Sequence, residues 1–425
     1  MSLRTRDGGD DGADGDRTET TTGAKSSADG DERPTEDSSH ARSVAETQRV
    51  LVITGLAHKN ERHYGPLADV AGETTLVSLA PVEGVDAARN VTVPQVGPRL
   101  LRVVLLFAVA LLEARRNEYD AVASISLFLY GCYALGLKAI FGLPAHLGII
   151  GIDLDHHATQ RYGPVVRWLF RRFDVVSVPG PDHAARLERC GVPAERIARL
   201  TNPIDVETYR PEAAGTVDDD SDSDFDSDRD DEDAAGYDYD VVWVGRFGPE
   251  KDPHRFVAAM DELESRGHEN NTAVMVGDGA LHDEVAAHIR ARGLEDTIEL
   301  AGWVDDPIDY YHRSRAFVLT SERDALPLVL LEAMATGLAP VVPRVGSIPD
   351  AVTDGKNGII VSDRRPETIA TAMERLLDED ELRRSHASAA TEVRNTFSMA
   401  QAGSDWAEIV VSMTGGSQQY SGSRR

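Results

Sequence analysis

The chain holds only two cysteines in 425 residues, Cys132 and Cys190, and they form no CxxC pair. That excludes a disulfide framework and gives no sign of a zinc site. Lysine is nearly as scarce: five residues (Lys25, Lys59, Lys138, Lys251, Lys356) against 39 arginines. With a formal net charge of −28 and a pI near 4.8, the chain is a poor partner for nucleic acid, whose affinity rests on basic patches meeting phosphates. No apolar run has the roughly 20 uninterrupted residues of a spanning helix. Residues 100–112 are strongly apolar but short and flanked by arginines, and residues 127–150 are broken by Gly131, Lys138, Pro144 and His146. The first stretch is expected to be a buried helix and the second a strand–helix–strand unit. Peripheral docking of the first on a membrane is the alternative. The polar start lacks an apolar h-region, so no secretion signal is expected. The predicted location is cytoplasmic, or the inner face of the cell membrane if the apolar helix docks there.

What is abundant is acid. An aspartate-rich, lysine-poor composition fits a halophilic protein working in molar salt, where screening removes the self-repulsion of so much charge; an ordinary acidic protein with disordered acidic segments is the plain alternative. Residues 1–48 hold almost no apolar side chain and are expected to be a disordered acidic tail. A second acidic block, residues 211–238, includes Asp218-Asp219-Asp220 and Asp230-Asp231-Glu232-Asp233 and reads as a solvated linker. Between and after these blocks lie two stretches of globular composition, 49–210 and 239–395, followed by a C-terminal helix and tail over 396–425.

Both stretches alternate strands and helices. Order is expected to begin at Val50-Leu51-Val52-Ile53. In the second stretch Val241-Val242-Trp243-Val244 reads as a strand, and Asp252-Pro253 as an N-cap with proline at the first helical position. Residues 273–276 form the next strand and 281–292 the next helix, stopped by Gly293. Strands are expected again at 298–300, 317–320, 339–342 and 359–361. This βαβα rhythm predicts an α/β fold of two Rossmann-like, doubly wound domains, each with a parallel sheet covered on both faces, facing each other across a cleft.

Three clusters in the second stretch carry chemistry. Gly245-Arg246-Phe247-Gly248-Pro249-Glu250-Lys251 joins a strand to a helix N-terminus, a place that collects anions, and it contains one of the few lysines. A surface loop with two solvated charges is the plain alternative. Gly277-Asp278-Gly279 follows a strand directly, where small residues let a ligand approach the backbone. A full GxGxxG with an acid some 20 positions later is absent, which argues against a dinucleotide site. The third cluster runs from Ser321 to Gly337. Asp324 falls in a loop at a strand's end, and Glu332 lies inside an apolar helix, where a carboxylate is costly unless paired or bound to a ligand. Both acids are strong acceptors for sugar or ribose hydroxyls.

In this order the motifs resemble the donor domain of retaining glycosyltransferases of GT-B fold, glycosyltransferase family 4. The resemblance runs through Gly245-Arg246 and Lys251, Val276-Gly277-Asp278-Gly279, Ala301-Gly302-Trp303-Val304, Asp324 with Glu332-Ala333-Met334-Ala335, Gly346-Ser347-Ile348-Pro349-Asp350, and Asp354-Gly355-Lys356-Asn357-Gly358. It reaches back to Gly191-Val192-Pro193 and Asn202-Pro203-Ile204-Asp205, similar to the family's junction between domains. It implies that Arg246 and Lys251 hold the donor diphosphate and Glu332 the ribose. It further implies that Leu328 and Val329 offer backbone N–H groups near the phosphate, and that Val304 lies beside the base. No metal and no cofactor beyond the nucleotide-sugar are implied, because the basic pair and the helix N-terminus neutralise the leaving diphosphate.

Two departures bear on specificity. Asp324 stands where the family usually has a glutamate contacting the donor sugar, one methylene longer, and Glu322 is a weaker candidate for that task. In the first domain one glycine, Gly55, stands where a pair is usual, and Ile150-Gly151-Ile152-Asp153 lacks the family's histidine, although His156 and His157 follow. Asp153, His156 and His157 are therefore candidates to face the transferred sugar or the acceptor, with a buried structural histidine as the plain alternative. The expected function is transfer of a hexose from a UDP- or GDP-sugar, with retention, to a sugar or lipid-linked acceptor. A nucleotide-sugar epimerase on the same fold and a non-catalytic nucleotide-binding scaffold are the alternatives.

Overall fold

The computed structural model describes residues 36–55, 60–149, 152–212, 236–268 and 270–421. The tail to residue 35 and most of the acidic block expected as a linker lie outside the described residues.

The first domain is a seven-stranded, wholly parallel sheet: β1 (Arg49–Thr54), β2 (Glu73–Ser78), β3 (Arg89–Thr92), β4 (Ala121–Ile125), β5 (Ala145–Gly148), β6 (Val175–Val178) and β7 (Ile197–Arg199). Its spatial order is β3-β2-β1-β4-β5-β6-β7. The second sheet has six parallel strands: β8 (Tyr239–Val244), β9 (Ala273–Val276), β10 (Ile298–Gly302), β11 (Ser314–Val318), β12 (Ala339–Pro343) and β13 (Ile359–Val361). Its order is β10-β9-β8-β11-β12-β13. Each order reverses once, between β1 and β4 and between β8 and β11. At such a switch point the loops leave in opposite directions and open a crevice at the strands' carboxyl ends.

Both sheets are buried on both faces because their strands are apolar at successive positions. In β8, Val241 and Trp243 enter one core while Val242 and Val244 enter the other. In β1, Leu51 and Ile53 face one core and Val50 and Val52 the other. The Pro253–Ser265 helix buries Phe256, Val257, Met260 and Leu263, the apolar face its spacing predicts.

Three expectations are corrected. Order does not wait for residue 50: a helix spans Glu36–Ala45 and buries Ala41 and Ala45. It packs against the C-terminal helix Met399–Ser421, a partner no local signal reveals. That C-terminal helix returns to the first domain, where Trp406, Ile409 and Val410 complete the core beneath β1 and β2. The apolar stretch 100–112 lies in the helix Arg99–Arg116, which is not buried: only Leu106, Ala110 and Glu113 are. Residues 127–150 form a π-helical turn (Leu127–Gly131), a helix (Cys132–Phe141) and β5, rather than strand–helix–strand. Among the described residues no helix is long and apolar enough to cross a membrane.

The carboxyl ends of the two sheets face each other. Past β6, the Nδ1 of buried His183 hydrogen-bonds the Oγ of Ser347, which follows β12. A Cβ on Gly180 would lie 1.9 Å from Oδ2 of Asp350, so the backbone there abuts the opposite domain.

Candidate functional site

The loop after β8 and the loop after β11 meet at the second domain's switch point. The first begins at Gly245, whose N–H donates to Val276 O (3.0 Å). Phe247 anchors it: the ring is buried and stands edge-on to Trp243, 5.3 Å between centroids at 79°. The Trp243 indole N–H donates to Thr320 Oγ1 (3.0 Å), and that hydroxyl donates in turn to the carbonyls of Lys251 and Asp252. The second loop is tied to the first by the N–H groups of Glu322 and Arg323, both donating to Glu250 O (2.9 and 3.3 Å).

This framework holds the charged candidates. Lys251 Nζ forms an ion pair with Asp324 Oδ2, both side chains largely shielded from solvent, and Ser321 Oγ also donates to that carboxylate (3.2 Å). Arg246 is exposed and lies 3.4 Å from Glu250. The two cations are thus each matched with an acid rather than free. Asp252 occupies the N-cap position with left-handed backbone (φ 51°), yet its carboxylate accepts from Arg255 Nε (2.6 Å) and Arg364 Nη1 (3.2 Å) instead of capping the helix. The Leu328–Ala335 helix also starts without a side-chain cap, so the first-turn amides of Leu328 and Val329 sit at an uncapped helix mouth.

Glu332 lies one turn further into that helix. Burial pushes its carboxyl up to about 7, opposed by the Arg62 guanidinium and assisted by Asp306, while the Tyr311 hydroxyl stabilises the ion. Arg62 comes from the other domain, in the Asn60–Val70 helix, and burial lowers its own value. Its Nη1 is buried without a hydrogen-bond partner. Tyr209 donates to Asp306 Oδ1 (3.0 Å), and its ring stands 6.3 Å from that of Tyr311. Arg62, Tyr209, Asp306 and Tyr311 were not singled out from sequence. For Arg62 the available signal was its position just past β1, at the first domain's switch point.

The glycines let the two loops pack closely. A Cβ on Gly277 (φ +134°) would lie 2.0 Å from Gly245 O, and one on Gly279 would lie 2.6 Å from Phe247 O. The space they leave is filled by the β8 loop, so a side chain at either position would push that loop away. Val304 follows Gly302 and the exposed Trp303 on the same edge of the sheet.

The first-domain candidates have other partners. Residues 56–59, 150 and 151 lie outside the described residues. Asp153 is buried; its Oδ2 accepts the Leu127 N–H (3.0 Å), and its Oδ1 has no partner. Burial raises its carboxyl, with the Leu127 amide and His157 opposing. His157 Nδ1 pairs with Tyr162 Oη (2.7 Å) beside the Phe128 ring (4.4 Å), and exposed His156 meets Gln160 (3.3 Å). The structure therefore joins Asp153 to the turn after β4 and His157 to an aromatic cluster. A cluster of His268, Glu374 and Asp378 lies at the C-terminal ends of the Pro253–Ser265 and Pro366–Asp378 helices. That is the sheet edge away from the site, and Arg266 already pairs with Glu374 (3.0 Å).

Two doubly wound parallel domains whose sheets face each other at their carboxyl ends have the GT-B fold. Residues 224–393 match the family model described as Glycosyl transferases group 1, and the chain is related to those enzymes. HepE of Anabaena, solved with UDP and glucose, superposes with a TM-score of 0.68 at 17% identity, covering 86% of this chain and 100% of that one. The alpha-D-kanosaminyltransferase of Streptomyces kanamyceticus is 33% identical over 172 residues, 40% of this chain and 44% of the relative. The D-inositol 3-phosphate glycosyltransferase of Corynebacterium glutamicum is 30% identical over 171 residues, 38% of this chain and 40% of the relative. The chain thus spans less than half the length of the curated relatives it matches.

Proposed function

We propose that the chain transfers a hexose from a UDP- or GDP-sugar to an acceptor hydroxyl, with retention of configuration. The observation that carries this reading is the shielded Lys251–Asp324 pair at a topological switch point, beside an uncapped helix mouth that also bears Glu332. Lys251 and Arg246 receive the leaving diphosphate together with the amides of Leu328 and Val329. Charge that develops on departure then meets donors fixed in advance, a large catalytic term. Asp324 holds Lys251 until phosphate arrives and then faces the donor sugar. Glu332 binds the ribose hydroxyls, and Val304 lies beside the base. Gly245, Gly277 and Gly279 set the loop backbone. Both curated relatives are named as sugar transferases, and each match covers little more than a third of this chain.

The acceptor in this reading is borne on a lipid, as a lipid-linked glycan or glycolipid, and meets the enzyme at the inner face of the cell membrane. Asp153, His156 and His157 line its approach. The acid-rich surface suits molar salt, and no resident metal takes part. Donor turnover in molar KCl by wild type, Arg246→Ala and Lys251→Ala tests the phosphate roles; equal turnover in all three overturns them. A thermal-shift panel of nucleotide-sugars in the same buffer identifies base and sugar, and no shift with any of them refutes donor binding.

A further inference from the structure

Apolar side chains are left in water on one part of this molecule. Among the described residues, twelve of the large apolar side chains that are exposed fall between Val96 and Trp168, and two, Tyr237 and Trp303, fall elsewhere. The helix Arg99–Arg116 explains much of this. Its outward positions recur at helical spacing as Leu101, Val104, Ala108 and Leu112, with Leu100 alongside, and no charged residue interrupts them. Leu100 is 77% exposed and Val104 60%. A helix face that meets water ordinarily carries the polar residues, so the pattern here is inverted.

The face continues onto neighbouring elements. Phe107 stacks on Tyr133 (4.9 Å), joining this helix to Cys132–Phe141, whose Ile140 and Phe141 are also exposed. Lys138 on that helix donates to Arg172 O (2.9 Å), just past the helix Gly163–Phe170, which exposes Val165 and Trp168. Phe128 closes the circuit against Tyr162 (6.2 Å). A contiguous patch of this extent on a soluble surface marks an interaction site.

Charge identifies the occupant. Residues 96–172 contain nine Arg or Lys against five Asp or Glu, in a chain whose net charge is −28. Arg99, Arg115, Arg116, Arg161, Arg171 and Arg172 are exposed, and none is ion-paired among the described residues. Arg172 lies over the Trp168 ring (4.5 Å), pairing a cation with an aromatic as at a membrane–water interface. The geometry points to this arginine-edged apolar face as a docking surface for an anionic lipid bilayer. Apolar area and attraction to anionic headgroups act together in such binding. At low ionic strength the acidic remainder of the chain is also repelled by the same headgroups and turned away from the membrane. A second copy is a poor occupant, because a two-fold contact would set these arginines against themselves between two strongly negative molecules.

The inference deepens the lipid-borne acceptor reading and extends the docking contact from one helix to three. It is tested without turnover, so either can fail alone. Full-length protein is sedimented with phosphatidylglycerol vesicles and with phosphatidylcholine vesicles, as wild type, as Leu100→Ser/Val104→Ser/Val165→Ser, and as Arg115→Gln/Arg116→Gln/Arg171→Gln. Wild type is expected to prefer the anionic vesicles by about tenfold. The apolar triple variant loses about tenfold on both vesicle types, and the arginine triple loses only the anionic preference. Unchanged melting temperatures establish folding, and the arginine triple, entirely on the surface, decides alone if the apolar triple unfolds. Wild type that ignores anionic vesicles, or variants that bind as wild type does, overturns the proposal. So does light scattering that shows a wild-type dimer dissolved by the apolar triple.

Discussion

The two switch points of this molecule are built from different materials. Between β8 and β11 the opposing loops are stitched by charge: Lys251 on Asp324, and Glu250 O accepting two amides across the gap. Between β1 and β4 the stitching is steric and apolar. Tyr130 lies over Gly55, Asp153 is spent on the Leu127 amide, and Phe128 stands in an aromatic cluster with His157 and Tyr162. An edge made of ion pairs is ready to trade one partner for a phosphate. An edge made of packed rings and a buried carboxyl shapes a surface instead, and its buried cation, Arg62, acts on Glu332 of the other domain.

The largest test of that contrast is functional. Lys251→Ala is expected to lower donor turnover about 10²–10³-fold, the usual cost of one preorganised donor in a shielded site. Arg246→Ala, at a solvent-exposed position, is expected to cost about tenfold, since water screens it. Equal losses would mean that shielding does not set the two apart. In steady-state assays Asp153→Asn should keep turnover within about threefold if its task is to accept the Leu127 amide, because an amide oxygen does so as well.

Next come the glycines. Gly277→Ala drives a methyl into the Gly245 carbonyl, which is backbone and cannot step aside, and is expected to cost about 3 kcal/mol or more in denaturant unfolding. Gly55→Ala meets the Tyr130 hydroxyl, the far end of a side chain that can rotate, and is expected to cost about 1–2 kcal/mol. Reversal of that order would contradict the description of the two edges.

The pH dependence sharpens the contrast further. Glu332 holds its proton up to about pH 7 in the folded chain, against an ordinary value of 4.5. The folded state thus binds more protons between those values, and this group's contribution to stability falls as pH rises from 4.5 to 7, then levels. Glu332→Gln is expected to gain up to about 3 kcal/mol over wild type above pH 7 and to match it near pH 4.5. Thermal melts across pH 4–9 read this directly, and a pH-independent difference would refute it. Asp153→Ala leaves the Leu127 amide unsatisfied and is expected to cost about 1–3 kcal/mol in the same melts, and the smallest effect is expected for Asp153→Asn, which stays near wild type.

Much of the architecture was legible because it is local. Alternating apolar runs and punctuating glycines located the strands of the second sheet to within a few residues; β11 moved to Ser314–Val318 because the run through Thr320 includes residues already turning into the loop. The Lys251 and Asp324 candidates were legible from spacing along the chain. What was hidden depends on distant partners. The Glu36–Ala45 helix gains its burial from residues near 406, and Arg62 reaches Glu332 only once the domains are joined. The exposure of the Arg99–Arg116 helix was misjudged because an apolar run predicts burial, and only the surrounding packing shows which face stays uncovered.

The return of the Met399–Ser421 helix sets an order of assembly opposite to the order of synthesis. The half that leaves the ribosome first lacks the layer under β1 and β2 until Trp406 arrives to donate its indole N–H to His63 O (3.0 Å). The second half draws almost all of both its cores from residues 239–397 and can close while the first still waits. Removal of the chain from Met399 onward therefore leaves a finished second lobe tethered to an unfinished first one, whose bare sheet face is a ready target for chaperones.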